Sequence, residues 1–229
     1  DIIEKMRILA VNTMDRSGGA EKIASDLVSH FRQAGHSSTL AVGRKRGGIA
    51  DILIPQERNY RPQNQFAPAP ADKEKRDWEY SQGIEDFNFP GTWDLLSLGS
   101  KGLDLLHLHN LHGGYFDLRA LPWLSNQLPT IITLHDAWLT SGHCAHSLGC
   151  RRWLSGCGDC PDLEIYPSIP VDGTAFNWKR KNEIVSNSNL HIVTPSKWLM
   201  DKLKSSVLWP HFLSTKVIPN GVDTTVYLP

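Results

Sequence analysis

Apolar residues along this chain fall into short runs separated by segments of helical spacing. Arg7-Ile8-Leu9-Ala10-Val11-Asn12 reads as a buried strand, and the turn-rich loop Thr13 to Gly19 follows it. Apolar positions at Ala20, Ile23, Ala24, Leu27, Val28 and Phe31 then mark one face of a helix, with Gly35 as its C-terminal stop. Ser38 to Val42 is a second strand. Strand, helix and strand at this spacing make a βαβ unit, so the sheet is expected to be parallel.

From Gly43 to about Thr92 the regular pattern fades, and residues 44–92 read as an insertion in the domain. Within it, Arg44-Lys45-Arg46 is a basic turn, and Ala67 to Lys75 has the composition of a mobile, solvated segment. The rhythm resumes with a short helix over Trp93–Ser100, a strand over Asp104–His109, a helix near Asp117–Asn126 limited by Pro122, and a strand over Thr130–Leu134. A long loop, 136–173, precedes a helix expected from Thr174, as N-cap, to about Ser186. Leu190–Thr194 is a strand, Ser196 caps a helix over Lys197–Leu203, and Lys216–Ile218 is the last strand. The fold class predicted is α/β: a Rossmann-like, doubly wound parallel sheet of about six strands with helices on both faces. There is no internal repeat.

Composition narrows the function. The 229 residues carry 24 Lys+Arg against 24 Asp+Glu, a formal net charge of zero, which excludes a nucleic-acid-coating role. No apolar run reaches the ~18 residues of a transmembrane helix. The opening Asp1-Ile2-Ile3-Glu4-Lys5 lacks a signal-peptide pattern, so a cytoplasmic location is expected, with peripheral contact at the inner membrane face left open.

The chemistry-bearing residues fall just beyond strands, where α/β proteins build their crevices. Ser17-Gly18-Gly19-Ala20-Glu21 opens the first helix; its glycines permit close backbone approach, and a helix N-terminus suits phosphate. A plain tight turn explains it equally well. His107, His109 and His112 form H-x-H-x-x-H; 107 and 109 share a face of their strand, with His109 and Asn110 directed at the crevice. His135-Asp136 ends the next strand, and a histidine there can exchange protons near neutral pH. Asn220, Gly221 and Asp223 follow the last strand.

Cys144, Cys150, Cys157 and Cys160, spaced C-x5-C-x6-C-x2-C within the long loop, point first to a structural zinc, with His143 and His146 as substitute ligands; disulfides or free thiols are the alternatives. Trp138 and Trp153 in the same loop are candidate sugar-stacking residues, though core anchoring is the commoner role.

Taken in order, Met6-Arg7-Ile8-Leu9, Ser17-Gly18-Gly19-Ala20-Glu21, His135-Asp136, Thr194-Pro195-Ser196-Lys197-Trp198 and Pro219-Asn220-Gly221-Val222-Asp223 resemble the N-terminal half of a GT-B, family-four-type retaining glycosyltransferase of the bacterial polysaccharide-assembly kind. The stretches Thr140–Cys144 and Gly156–Pro161 are similar to a subset of those enzymes. The resemblance implies two Rossmann-like domains facing across a cleft. The N-terminal one mainly holds a saccharide or lipid-linked acceptor; the C-terminal one holds the nucleotide-sugar donor. It implies transfer with retention and no catalytic metal. Gly18 and Gly19 would lie near donor phosphates and acceptor, His135 by the transferred sugar, and Asn220, Gly221 and Asp223 at the passage between domains. His135 and Asp136 are then the catalytic candidates, with His109, Asn110 and Ser196 among the substrate-facing ones. Residues 1–229 correspond to the acceptor-side domain, and the donor domain is absent from them, so this stretch alone is expected to be inactive. Two rival readings stand beside this one: a metal-dependent hydrolase using His107, His109, His112 and His135, and a non-catalytic carbohydrate-binding module.

Overall fold

The computed structural model describes residues 4–222 and 224. Seven strands form one parallel sheet: β1 (Arg7–Met14), β2 (Ser37–Arg44), β3 (Ile52–Leu53), β4 (Leu105–Leu108), β5 (Thr130–Thr133), β6 (Leu190–Thr194) and β7 (Phe212–Val217). Their spatial order is β3-β2-β1-β4-β5-β6-β7. The winding reverses between β1 and β4, which places a topological switch point at the C-terminal ends of those two strands.

Side-chain alternation divides the core between the two faces. Leu9 and Val11 of β1 join Leu106 and Leu108 of β4 in the larger apolar cluster. Ala10 packs with Leu40 and Val42 of β2 and Val28 of α1 (Gly19–Gln33) on the opposite face. In register, Ala10 sits beside His107, and His107 beside Ile131. The imidazole of His107 therefore belongs to the α1 face.

The remaining helices are α2 (Lys73–Ser81), α3 (Leu95–Leu98), α4 (Leu121–Gln127), α5 (Thr174–Ser186) and α6 (Lys197–Lys204). Three details differ from the sequence expectation. The 44–92 stretch holds β3 and α2, and Ile54, Phe87 and Phe89 from it are buried. α2 itself buries no residue; it is a solvated helix started by Asp72, whose carboxylate accepts from the Lys75 N–H. β7 begins four residues before the expected Lys216, because an edge strand paired only to β6 needs no continuous apolar run. Gly173, not Thr174, is the N-cap of α5; the Thr174 hydroxyl instead accepts from the Gly158 N–H and donates to Asp172. Ser196 caps α6 as expected, accepting from the Leu199 N–H. Among the described residues no helix is long and apolar enough to cross a membrane.

Candidate functional site

β1, β4 and β5 lie side by side, so the residues just past them meet. His107 Nε2 lies 2.9 Å from Thr133 Oγ1, and His109 Nδ1 lies 3.0 Å from His135 Nε2. The His109 and His135 rings are stacked, with centroids 5.3 Å apart. Strand periodicity accounts for this: 107 and 109, in and just past β4, share a face with 133 and 135, in and just past β5. Burial pushes the His107 imidazole down to about 4, helped by His135, and pushes His109 well below its ordinary value. His135 is also lowered by burial, although Asp136 and Glu21 pull the other way. All three rings are therefore neutral near pH 7, and one proton is shared across the His109–His135 contact. His109 Nε2 is buried without a hydrogen-bond partner.

A second pair flanks the first. His112 Nε2 lies 2.7 Å from Asp136 Oδ2, while Asp136 Oδ1 accepts from the Trp138 N–H. The Trp138 indole N–H donates to Glu85 Oε1. Beneath it, Lys181 is 1% exposed and donates to the carbonyls of Trp138 and Ser141. Its Nζ sits 3.8 Å from the Trp138 ring centroid and 2.8 Å from Glu85 Oε2, close enough for an ion pair but not aligned as a hydrogen bond. Burial lowers the Lys181 pKa, and Glu85 opposes that shift.

The glycine turn sits over the α1 face. The Gly18 N–H is taken by Glu21 Oε2 at 3.0 Å, so the helix supplies its own carboxylate to its first turn. Next to it, Asp15 accepts from the N–H groups of Arg46 (2.6 Å) and Gly48 (2.9 Å), which folds the basic turn back onto the loop after β1. Burial works against the Asp15 charge, but these backbone donors hold its pKa below the usual value.

The expected site residues are thus only partly gathered. Gly18 and Gly19 follow β1, His109 and Asn110 follow β4, and His135 and Asp136 follow β5, all at the switch point. The Asn110 carbonyl accepts from Thr13 of β1. Ser196, past β6, has its hydroxyl committed to capping. Asn220 and Gly221 follow β7 on the same edge but two strands from β5, about 10 Å at the usual strand spacing. Asp223 lies outside the described residues. Sequence reading passed over Glu21, though its position three residues after Gly18 is a capping-box signal. Glu85 and Lys181 carried no local signal.

The four cysteines and His143 line one small cavity in the 136–173 loop. Gly142 N–H donates to Cys157 Sγ at 3.3 Å, and Cys160 Sγ lies 3.4 Å from His143 Nε2. All four are free thiols; burial raises Cys157 to about 11 and also raises Cys160. Trp153 lines the same cavity and packs under Lys202, in the anchoring role. Among the described residues no three His, Cys, Asp or Glu side chains are arranged to hold a metal ion. The hydrolase reading of His107, His109, His112 and His135 therefore has no metal centre here, since their nitrogens face Thr133, Asp136 and one another. The thiols share a cavity, but a zinc ion there would require them to turn.

The chain matches the Glycosyltransferase Family 4 model over residues 17–226. It is 26% identical over 229 residues to WcaC of Escherichia coli (strain K12), which its name assigns to colanic acid biosynthesis as a glycosyl transferase; the match covers 95% of this chain and 55% of that protein. Among solved structures it is similar to the catalytic domain of starch synthase IV from Arabidopsis thaliana bound to ADP and acarbose, at TM-score 0.45 and 14% identity, covering 97% of this chain and 53% of that one. The chain spans about half the length of these relatives.

Proposed function

The chain belongs to Glycosyltransferase Family 4, and from that premise we propose that it is the acceptor-side domain of a GT-B enzyme. This enzyme moves a sugar, with retention, from a nucleotide-sugar donor to a saccharide or lipid-linked acceptor at the cytoplasmic face of the membrane. The observation that carries the reading is the meeting of His109, His135, Asp136 and the glycine turn at the switch point of a chain matched to this family. His135 faces the transferred sugar, and Asp136 holds His112 and the Trp138 backbone beside it.

Leaving-group charge on the nucleoside diphosphate needs cationic or N–H partners, and such stabilisation is commonly the largest catalytic contribution. Around the histidines the carboxylates are Glu21 and Asp136, the Gly18 N–H is already engaged, and the nearest cation, Arg44, donates to the Gly113 carbonyl. The donor phosphates therefore require a second domain. Residues 1–229 alone should turn over any nucleotide sugar at least about 100-fold more slowly than the same chain extended through such a domain. Nucleotide release measured on both proteins tests this; equal rates would overturn it.

A structural zinc bound by Cys144, Cys150, Cys157 and Cys160 belongs to the same reading as a brace for the loop, with no part in transfer. Elemental analysis should find about one zinc per chain, lost in Cys157→Ser/Cys160→Ser, as four-thiolate sites require. Metal-free protein with four titratable thiols would contradict it.

A further inference from the structure

Two buried polar atoms on neighbouring strands have no hydrogen-bond partner among the described residues: Asn12 Oδ1 and His109 Nε2. Ala10 lies beside His107 and Val11 beside Leu108, and the His109 N–H donates to the Val11 carbonyl. The ladder between β1 and β4 therefore runs on, and Asn12 takes the place beside His109. Alternation from Ala10 puts Asn12 on the α1 face, which also carries the His107 and His109 rings. Both side chains are buried. The Asn12 amide has a fixed orientation, because its Nδ2 donates to the Met14 carbonyl. Its free atom is therefore an acceptor. His109 turns Nδ1 toward His135 past β5, so the opposite edge of the ring is turned toward β1. Asn12 Oδ1 and His109 Nε2 are not bonded to each other as they stand; one water, or a small rotation of the amide, closes the gap.

The His109–His135 contact holds one proton, which can be placed in two ways. In the first, His109 donates from Nδ1. Its Nε2 is then a bare acceptor beside Asn12 Oδ1, a second acceptor, and His135 carries its own proton on Nδ1. In the second, His135 donates from Nε2. His109 then carries its proton on Nε2, as a donor on the side of Asn12 Oδ1, and His135 Nδ1 keeps a lone pair. The second form matches a buried donor to a buried acceptor, where the first sets two acceptors together. It also keeps both rings in the Nε2–H tautomer, which neutral histidine side chains prefer in water; the first puts both rings in the minor tautomer. Neither carboxylate acting on His135 is bonded to its Nδ1: Asp136 is held by His112 and the Trp138 N–H, and Glu21 takes the Gly18 N–H.

We propose that Asn12 and His109 are positioning residues that lock His135 in its Nε2–H tautomer and so leave Nδ1 as an acceptor for a hydroxyl of the transferred sugar. The relay runs from His135 Nε2–H to His109 Nδ1, from His109 Nε2–H to Asn12 Oδ1, and from Asn12 Nδ2–H to the Met14 carbonyl. Asn12 acts only through His109, and His109 only through His135. The proposal rests on the reading that His135 faces the transferred sugar, and deepens it.

Side-chain nitrogen NMR on the chain with isotope-labelled histidine reads the tautomer of each ring near pH 7. The two resonance sets are identified by their loss in His109→Gln and His135→Gln. Both rings should be neutral, with the proton on Nε2 and none on Nδ1. A predominant Nδ1–H form of either ring would overturn the proposal, and that result needs no variant to fold. Asn12→Leu keeps the side-chain size but removes the acceptor, and it should bring in the Nδ1–H form of His135 as a second signal. In the chain extended through a donor-binding domain, the same variant should lower kcat at least about tenfold, because a histidine in the wrong tautomer loses its role at the reacting centre. Tautomers unchanged in Asn12→Leu, or changed with kcat unaffected, would also overturn it. An extended parent without turnover would sink the transferase reading instead; the tautomers are read without substrate and still decide the relay.

Discussion

Replacing Lys181 by alanine is expected to destabilise the chain by about 3–5 kcal/mol, the usual consequence of leaving one member of a buried ion pair alone. Lys181 is 1% exposed, and its ammonium is shared between Glu85, the carbonyls of Trp138 and Ser141, and the Trp138 ring. Removing it leaves the Glu85 carboxylate, whose side chain is only 10% exposed, without its counter-charge, and the Ser141 carbonyl without its Lys181 donor. The double variant Lys181→Met/Glu85→Gln removes both charges and should recover a large part of the loss. Urea unfolding of the three proteins measures this. A Lys181→Ala variant within about 1 kcal/mol of the parent would show that water, not protein, solvates this pair. The effect should also reach the site, because Glu85 fixes the Trp138 indole.

Acid should unfold the chain earlier than its carboxylates alone would require. His107 and His109 are buried neutral, and both titrate below their unfolded value. Between the two values the unfolded chain binds more protons, so stability rises with pH there. The contribution is fully present above pH 6.5 and is lost as pH falls through about 4, the folded value of His107. That shift alone corresponds to about 3 kcal/mol. His109 and His135 act in the same direction. Asp15 and Asp172, whose pKa values are depressed, lose their contributions only below the ordinary carboxylate range. Unfolding free energy measured from pH 7 to 4.5 should therefore fall steadily in the parent and less steeply in His107→Gln, which keeps a group able to bond Thr133. A flat profile over that range would show that these imidazoles are reached by water.

The strands of the sheet centre were legible because β1, β4, β5 and β6 are short, largely apolar runs, and their parallel arrangement followed from the βαβ spacing. The pairing of His109 with His135 was implicit in strand parity, once β4 and β5 were neighbours. α2 escaped notice because it buries nothing and so has no apolar stripe to read. β3 is two residues long, below what any pattern resolves. The cap of α5 was misplaced by one residue because Thr174 is occupied by Gly158 and Asp172, contacts made across the cysteine loop. The four cysteines line one cavity, but their spacing in sequence fixes neither side-chain rotation nor ligand distance. Glu85–Lys181 joins the segment after α2 to the middle of α5, and only the folded chain brings those together.

The central claim, that the face around His135 is where sugar transfer occurs, is tested most directly by the kcat of His135→Ala in a version of the chain extended through the donor-binding domain. The account predicts a fall of about 100-fold or more, the scale of losing a group that acts on the reacting centre, with a Tm close to that of the parent. A kcat within about threefold of the parent would contradict it.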